Sequence, residues 1–154
     1  MATFATVEGR TISMKIAVID GQGGGIGRVI IDKMRNTLPR DIHIIALGTN
    51  SLATAAMLKA GANEGATGEN PIVVNVCEVD IVVGSIAILA ADGLTGEVTD
   101  KMANAIARSK AAKVFIPLNK YNIHVAGVVN EPLPHYIEDA IKIIKEILGG
   151  SKNV

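Results

Sequence analysis

The sequence predicts an α/β domain built on an open, mainly parallel sheet with helices on both faces. Apolar runs of strand length alternate with segments of helical periodicity, the pattern of a parallel sheet threaded by crossover helices. The first such run, Ile16-Ala17-Val18-Ile19-Asp20, passes directly into a glycine-rich turn and then into a helix-periodic stretch. At 154 residues the chain has the size of one domain with a real core.

The elements follow in order. Met1 to Ser13 has neither the basic start nor the apolar centre of a secretory signal. It is expected to be a loosely held extension, with the domain proper running from Met14 to Val154. The first helix should span Gly25 to Thr37 and stop before Pro39, because the residue ahead of a proline disfavours helix. A second strand, Ile42 to Leu47, leads through Gly48-Thr49-Asn50 into an alanine-rich helix ending at Gly61, with Leu52, Ala56 and Lys59 at helical spacing. A short third strand is expected near Asn63 to Thr67. The segment Ile72 to Val76 has strand propensity, but one strand from there to Gly84 would be unusually long. Asn70 as cap and Pro71 in the first turn make it a short helix instead. Val79 to Gly84 then forms the fourth strand, Ser85 caps an apolar turn or short helix, Thr99 to Arg108 is a helix, and Lys113 to Pro117 is the fifth strand. Ile123 to Val129 reads as an antiparallel edge strand. In the last helix Ile137, Ala140, Ile141, Ile144 and Leu148 share one face, and Gly149-Gly150 ends it.

The glycine turn carries the chemistry. Strand, glycine loop and helix together make a phosphate cradle: glycines let the backbone approach a ligand, and free amides at a helix N-terminus attract an anion. The fingerprint G-x-G-x-x-G does not fit, because it would need glycine at Ile26 or at Arg28. What fits is Gly21-x-x-x-Gly25-x-Gly27, which resembles the G-x-x-x-G-[IL]-G loop of short-chain dehydrogenases. That resemblance implies a Rossmann-like fold and NAD or NADP as cofactor, other nucleotides being possible. Two departures limit it. Tyr121 and Tyr136 are followed four residues on by Val125 and Ala140, so the Tyr-x-x-x-Lys pair is missing. The second strand ends in Gly48-Thr49-Asn50 instead of the acidic residue that holds ribose hydroxyls in NAD-binding loops. Thr49 and Asn50 are candidates for a ribose or 2′-phosphate contact and equally for a helix cap. On this reading any ribose discrimination runs through those two residues and gives no strong preference for NAD over NADP. Asp20, just before the glycines, reads as the start of an Asp-Gly turn.

Ligands of open α/β sheets lie beyond the carboxyl ends of the strands. That rule gathers Gly21, Gln22, Gly23, Gly24, Gly25, Ile26, Gly27, Gly48, Thr49, Asn50, Gly84 and Ser85 on one rim as the candidate cofactor-binding set. Thr67-Gly68-Glu69 and Leu118-Asn119 end strands on the same rim. Glu69, Asp92 and Glu97 are the nearest carboxylates and read as solvated loop residues. His43, His124 and His135 have no metal-ligand spacing. No G-x-S-x-G elbow or G-x-x-x-x-G-K-[ST] loop occurs.

Composition excludes some partners. Fifteen basic residues balance fifteen acidic ones, and two Phe, two Tyr and no Trp leave neither a cationic footprint nor stacking aromatics for nucleic acid. Asp80 and Asp92 bracket the longest apolar stretch, so no membrane span is expected. The single cysteine, Cys77, suits a reducing cytoplasm and reads as a buried small hydrophobe. Hydrophobic residues at 49% against 19% charged predict a homo-oligomer, most simply a dimer. The surface assigned to it is the Ile81 to Leu89 stretch, the alanine-rich helix and the last helix.

The opening Met14-Lys15-Ile16-Ala17-Val18-Ile19-Asp20-Gly21-Gln22-Gly23-Gly24-Gly25-Ile26-Gly27 resembles that of a small bacterial family, mostly from anaerobic Firmicutes, known only as a domain of unknown function. Ala46 to Asn50, Gly61 to Asn70 and Ile116 to Asn119 resemble it too, which extends the match from Met14 to about Leu148. The resemblance implies a compact Rossmann-like domain and no particular activity. Three functional classes stay open: a nucleotide- or dinucleotide-binding protein, an NAD(P)-dependent oxidoreductase with its substrate pocket at an oligomer interface, and a structural or regulatory subunit whose loop holds nothing.

Overall fold

The computed structural model describes residues 4–7, 10–118 and 122–150. Strands β1 (Phe4–Val7) and β2 (Arg10–Ser13) pair antiparallel as a ribbon separate from the main sheet. The main sheet has five strands, β3 (Lys15–Asp20), β4 (His43–Gly48), β5 (Glu64–Thr67), β6 (Ile81–Ser85) and β7 (Ala112–Ile116). All neighbours are parallel, in the order β5-β4-β3-β6-β7. This is the open Rossmann-like α/β sheet the sequence predicts. The order reverses between β3 and β6, and the crevice beyond their carboxyl ends is where such sheets take ligands.

The helices are α1 (Gly25–Thr37), α2 (Ser51–Lys59), α3 (Glu69–Asn75), α4 (Asp100–Arg108) and α5 (Leu133–Gly150). Alternation along β3 assigns them to faces. Ile16 and Val18 join Ile30, Ile31 and Met34 of α1 and the Ile137-Ala140-Ile141-Ile144-Leu148 stripe of α5. Ala17 and Ile19 join Ile72 of α3 and Met102 and Ile106 of α4. Ile16, Ile30, Ile31, Ile44 and Ile81 are all fully buried. Each such side chain stabilises the fold by about 1.5–3 kcal/mol relative to leaving it in water.

Several expectations need correction. The short helix α3 is real, but Gly68 precedes its first turn as the cap, and Asn70 and Pro71 lie within it. Gly68 has φ +104, so the chain turns sharply there without a side-chain cap. Residues 122–132 form no strand. Asn122 (φ 59) and Gly127 (φ 85) take left-handed conformations that break extended backbone, and Pro132 removes a donor. Leu52 is 66% exposed, and α2 buries Ala53, Thr54 and Met57 instead, one position round from the stripe read from the sequence. Cys77 is exposed in the turn after α3, where its neighbour Val76 takes the buried place.

Candidate functional site

The glycine loop is built around Asp20. This last residue of β3 is only 5% exposed, and its carboxylate turns back into the loop. Oδ1 accepts the Gly21 amide at 2.8 Å and Oδ2 accepts the Gly27 amide at 2.6 Å. Asp20 therefore does more than start a turn: it satisfies a donor in the first turn of α1 and sets its charge against the positive end of that helix. The Gly24 amide closes the turn on the Gly21 carbonyl at 2.9 Å.

The glycines divide into two groups. A Cβ on Gly21 would strike Thr49 and Leu94, one on Gly24 would lie 2.7 Å from the Ala53 backbone, and one on Gly27 would lie 2.9 Å from Asp20 Cβ. Gly24 also has φ +72. Close packing accounts for all three, on Thr49 and Leu94 for Gly21, on α2 for Gly24, and on Asp20 and Met57 for Gly27. Gly23 and Gly25 are different: a Cβ on either meets nothing within 4 Å, and neither has a positive φ. Both are exposed, and the amides of Gly23, Gly25 and Ile26 have no acceptor among the described residues.

At the end of β4, Gly48 is packed against Thr54 and its carbonyl accepts the Gly68 amide at 2.9 Å. Asn50 caps α2, its Oδ1 accepting the Ala53 amide at 2.9 Å. Its Nδ2 donates to the Gln22 carbonyl at 2.9 Å and to Glu97. The sequence reading put Glu97 near the rim but took it for a solvated loop residue. The segment 90–98 after β6 crosses the rim and delivers this carboxylate to the end of β4, where it also accepts the Thr49 hydroxyl at 3.0 Å and the Gln22 amide at 2.9 Å. Glu97 is thus no solvated loop residue: a distant part of the chain places an acidic side chain against the end of β4, where it accepts from three protein donors. The signal was faint, because nothing in the spacing of Glu97 ties it to Thr49. The crossing segment carries Asp92, Leu94 and Thr95 at φ 63, 53 and 59. Left-handed backbone at such residues costs on the order of 1 kcal/mol or more each. Burial of Leu94, 5% exposed, and the Gln22 Nε2 to Thr95 Oγ1 hydrogen bond at 3.0 Å hold it in place.

The remaining rim residues are less available. Gly84 packs on the Ile19 carbonyl, and Ser85 is buried with its hydroxyl accepting the Ala87 amide at the start of a short 3-10 helix, Ile86–Leu89. Thr67 hydrogen-bonds Thr54 at 2.7 Å, Glu69 pairs with Lys101 at 3.7 Å, and Asp92 is exposed. Asn119 and Tyr121 lie outside the described residues. Beyond β7 an open groove of about 340 Å³ is lined by Pro117, Leu118, Ile123, His124, Val128 and Tyr136 among others. It was hidden in the sequence because its apolar residues imitate an edge strand.

The histidines sit apart from the loop. His43 meets Glu64 at 3.0 Å near the start of β4, where Lys15 also contacts Glu64 at 3.0 Å. Those two hydrogen bonds, Lys15 first, hold the Glu64 carboxyl below its ordinary pKa. His135 pairs with Glu131 at 2.6 Å, which raises the imidazole pKa.

Among the described residues no helix is long and apolar enough to cross a membrane. No curated protein matches the chain. A family model described as Domain of unknown function (DUF3842) matches residues 15–149, which takes in the whole main sheet and all but the last residue of α5, and the chain belongs to that family.

Proposed function

We propose that this protein binds a nucleotide or dinucleotide, NAD or NADP being the leading candidates, across the crevice between β3 and β6. The carrying observation is the pair Gly23 and Gly25. Glycine is a poor helix former, about 1 kcal/mol worse than alanine in a helix interior, so helix propensity gives no reason for glycine at Gly25, the first residue of α1. Packing explains Gly21, Gly24 and Gly27, but the fold gives no reason for these two. Close approach of a ligand to the backbone supplies one.

Magnitudes orient that ligand. A helix N-terminus favours an exposed anion by about 0.3–1 kcal/mol. A carboxylate about 6 Å from a phosphate charge repels it by about 3 kcal/mol at an effective dielectric of about 20. Phosphates therefore belong over Gly25 and Ile26, away from Glu97 on Gln22. The two carboxylates bonded to the glycine loop, Asp20 and Glu97, are engaged with the protein's own donors. That arrangement favours binding over acid-base chemistry as the role of the loop. A homodimer is part of the same proposal, with apolar residues beside β7 as its surface.

The test is Gly25→Val, which places a side chain in open space. Ligand at about 100 times its Kd stabilises by about 2.7 kcal/mol, a rise in Tm of roughly 5–10 °C for a chain of this size. Wild type should show such a rise with one of NAD, NADP, FAD or ATP at millimolar concentration. Gly25→Val should lose it while keeping its helical circular dichroism. No shift with any of the four refutes the reading.

A further inference from the structure

We infer that Glu97 and Thr49 form a subsite for an unphosphorylated ribose, so that the ligand is a nucleotide with a free 2′,3′-diol and a 2′-phosphate is refused. The inference rests on the nucleotide reading above and names which nucleotides it covers. It follows from counting donors. Asn50 has two amide hydrogens, and both are committed, one to the Gln22 carbonyl and one to Glu97. The Thr49 hydroxyl hydrogen goes to Glu97, and so does the Gln22 backbone amide. The end of β4 thus presents acceptors. A carboxylate has about four lone-pair sites and a hydroxyl oxygen two. Three protein donors on Glu97 leave one site there, and Thr49 Oγ1, having given its hydrogen, can still accept. Two adjacent acceptors suit the two hydroxyls of a ribose. A phosphate dianion, itself acceptor-only, would find no matching donor there and would face the Glu97 charge.

The inference departs from the expectation from sequence that Thr49 and Asn50 would read the ribose without a carboxylate. It also accounts for the strained course of residues 92–95, which carries Glu97 across the rim.

The experiment is calorimetric titration of NAD and NADP into the full chain, as wild type, Glu97→Gln and Glu97→Ala, with melting curves to verify folding. The two ligands share their pyrophosphate and differ only at the 2′ position. Wild type should bind NAD at least about tenfold more tightly than NADP, a difference of about 1.4 kcal/mol. Both variants should bring the ratio within about threefold, by weakening NAD and strengthening NADP. If wild type binds the two equally or prefers NADP, the ribose subsite is refuted while nucleotide binding stands. The subsite is equally refuted if the ratio survives in Glu97→Ala, or if the variants tighten both ligands equally, which would make Glu97 a plug. If neither NAD nor NADP binds any form, the subsite is refuted, while the nucleotide reading falls only if FAD and ATP fail as well.

Discussion

Asp20→Ala tests whether the glycine loop is organised from within by its own carboxylate. The substitution removes the acceptor for two amides, Gly21 and Gly27, both on buried residues. Hydrogen bonds to a charged group contribute about 1.5–3 kcal/mol each, and a buried amide left unpaired costs about 1–3 kcal/mol. Against this stands relief from burying a carboxylate that is 5% exposed. The balance is a loss of about 2–4 kcal/mol, or roughly 5–12 °C in Tm. Asp20→Asn should fall between the two forms. Its carbonyl serves one amide, and its own NH2 group meets the other donor to donor. Urea denaturation followed by circular dichroism gives both values. A stability of Asp20→Ala within about 0.5 kcal/mol of wild type, the range of an ordinary surface substitution, would mean that the two hydrogen bonds do not hold the loop.

The contrast among the glycines can be measured in the same assay. Gly24→Ala should cost about 1–3 kcal/mol, from φ +72 and the close approach to Ala53, whereas Gly23→Ala should change stability by less than about 0.5 kcal/mol. His135, with its pKa raised by Glu131, gains its extra interaction in the charged state. That contribution is present below the unfolded pKa and is lost as pH rises through the higher folded value. NMR titration should place His135 above an ordinary histidine, and Glu131→Gln should move it back down. Light scattering at micromolar concentration should give a mass above the 16.0 kDa of one chain. A mass that stays at the monomer value on concentration rules out the dimer, and Val129→Asp should drive wild-type dimers to monomers.

Most of the sheet was legible because β3, β4, β6 and β7 are short, mainly apolar runs separated by turn residues or helices, while β5 is polar and was placed by position. Ser85 was legible as a cap and accepts the Ala87 amide, whereas Thr99, read as the first helical residue, is the cap of α4 and accepts the Met102 amide. The rim was legible as a place, since strand ends follow from strand assignments. Its hydrogen bonding was not. Asp20 reaches seven residues along the chain to Gly27. Glu97 lies 48 residues from Thr49. Local propensity describes neighbours in sequence, and neither contact leaves a periodic trace. Residues 122–132 misled for the opposite reason. Valines and an isoleucine there imitate a strand, while Asn122 and Gly127 decide the backbone through their left-handed φ.

The apolar excess that suggested association is mostly core, which moves the proposed dimer surface. Ile81 to Ser85 lie in a central strand and are fully covered, and the stripe of α5 packs on the sheet. Exposed instead, apart from Val74 on α3, are Leu52 and Leu58 on α2, and Val125, Val128, Val129 and Ile143 beside β7. The two groups are not equivalent. β5, one edge of the sheet, offers Glu64, Gly65 and Thr67 to solvent, a short polar edge of the kind that resists pairing. β7, the other edge, is flanked by Val128, Val129 and Ile143 along an open groove that also includes Phe115 and Tyr136. Val129 is 69% exposed, and burying one such side chain in a partner would contribute about 1.5–3 kcal/mol. Several together on one side of the domain form a patch, whereas two leucines on a single helix are ordinary surface. The apolar side of this domain is therefore the β7 side, and Val129, not the central strand, is the residue on which dimerisation should turn.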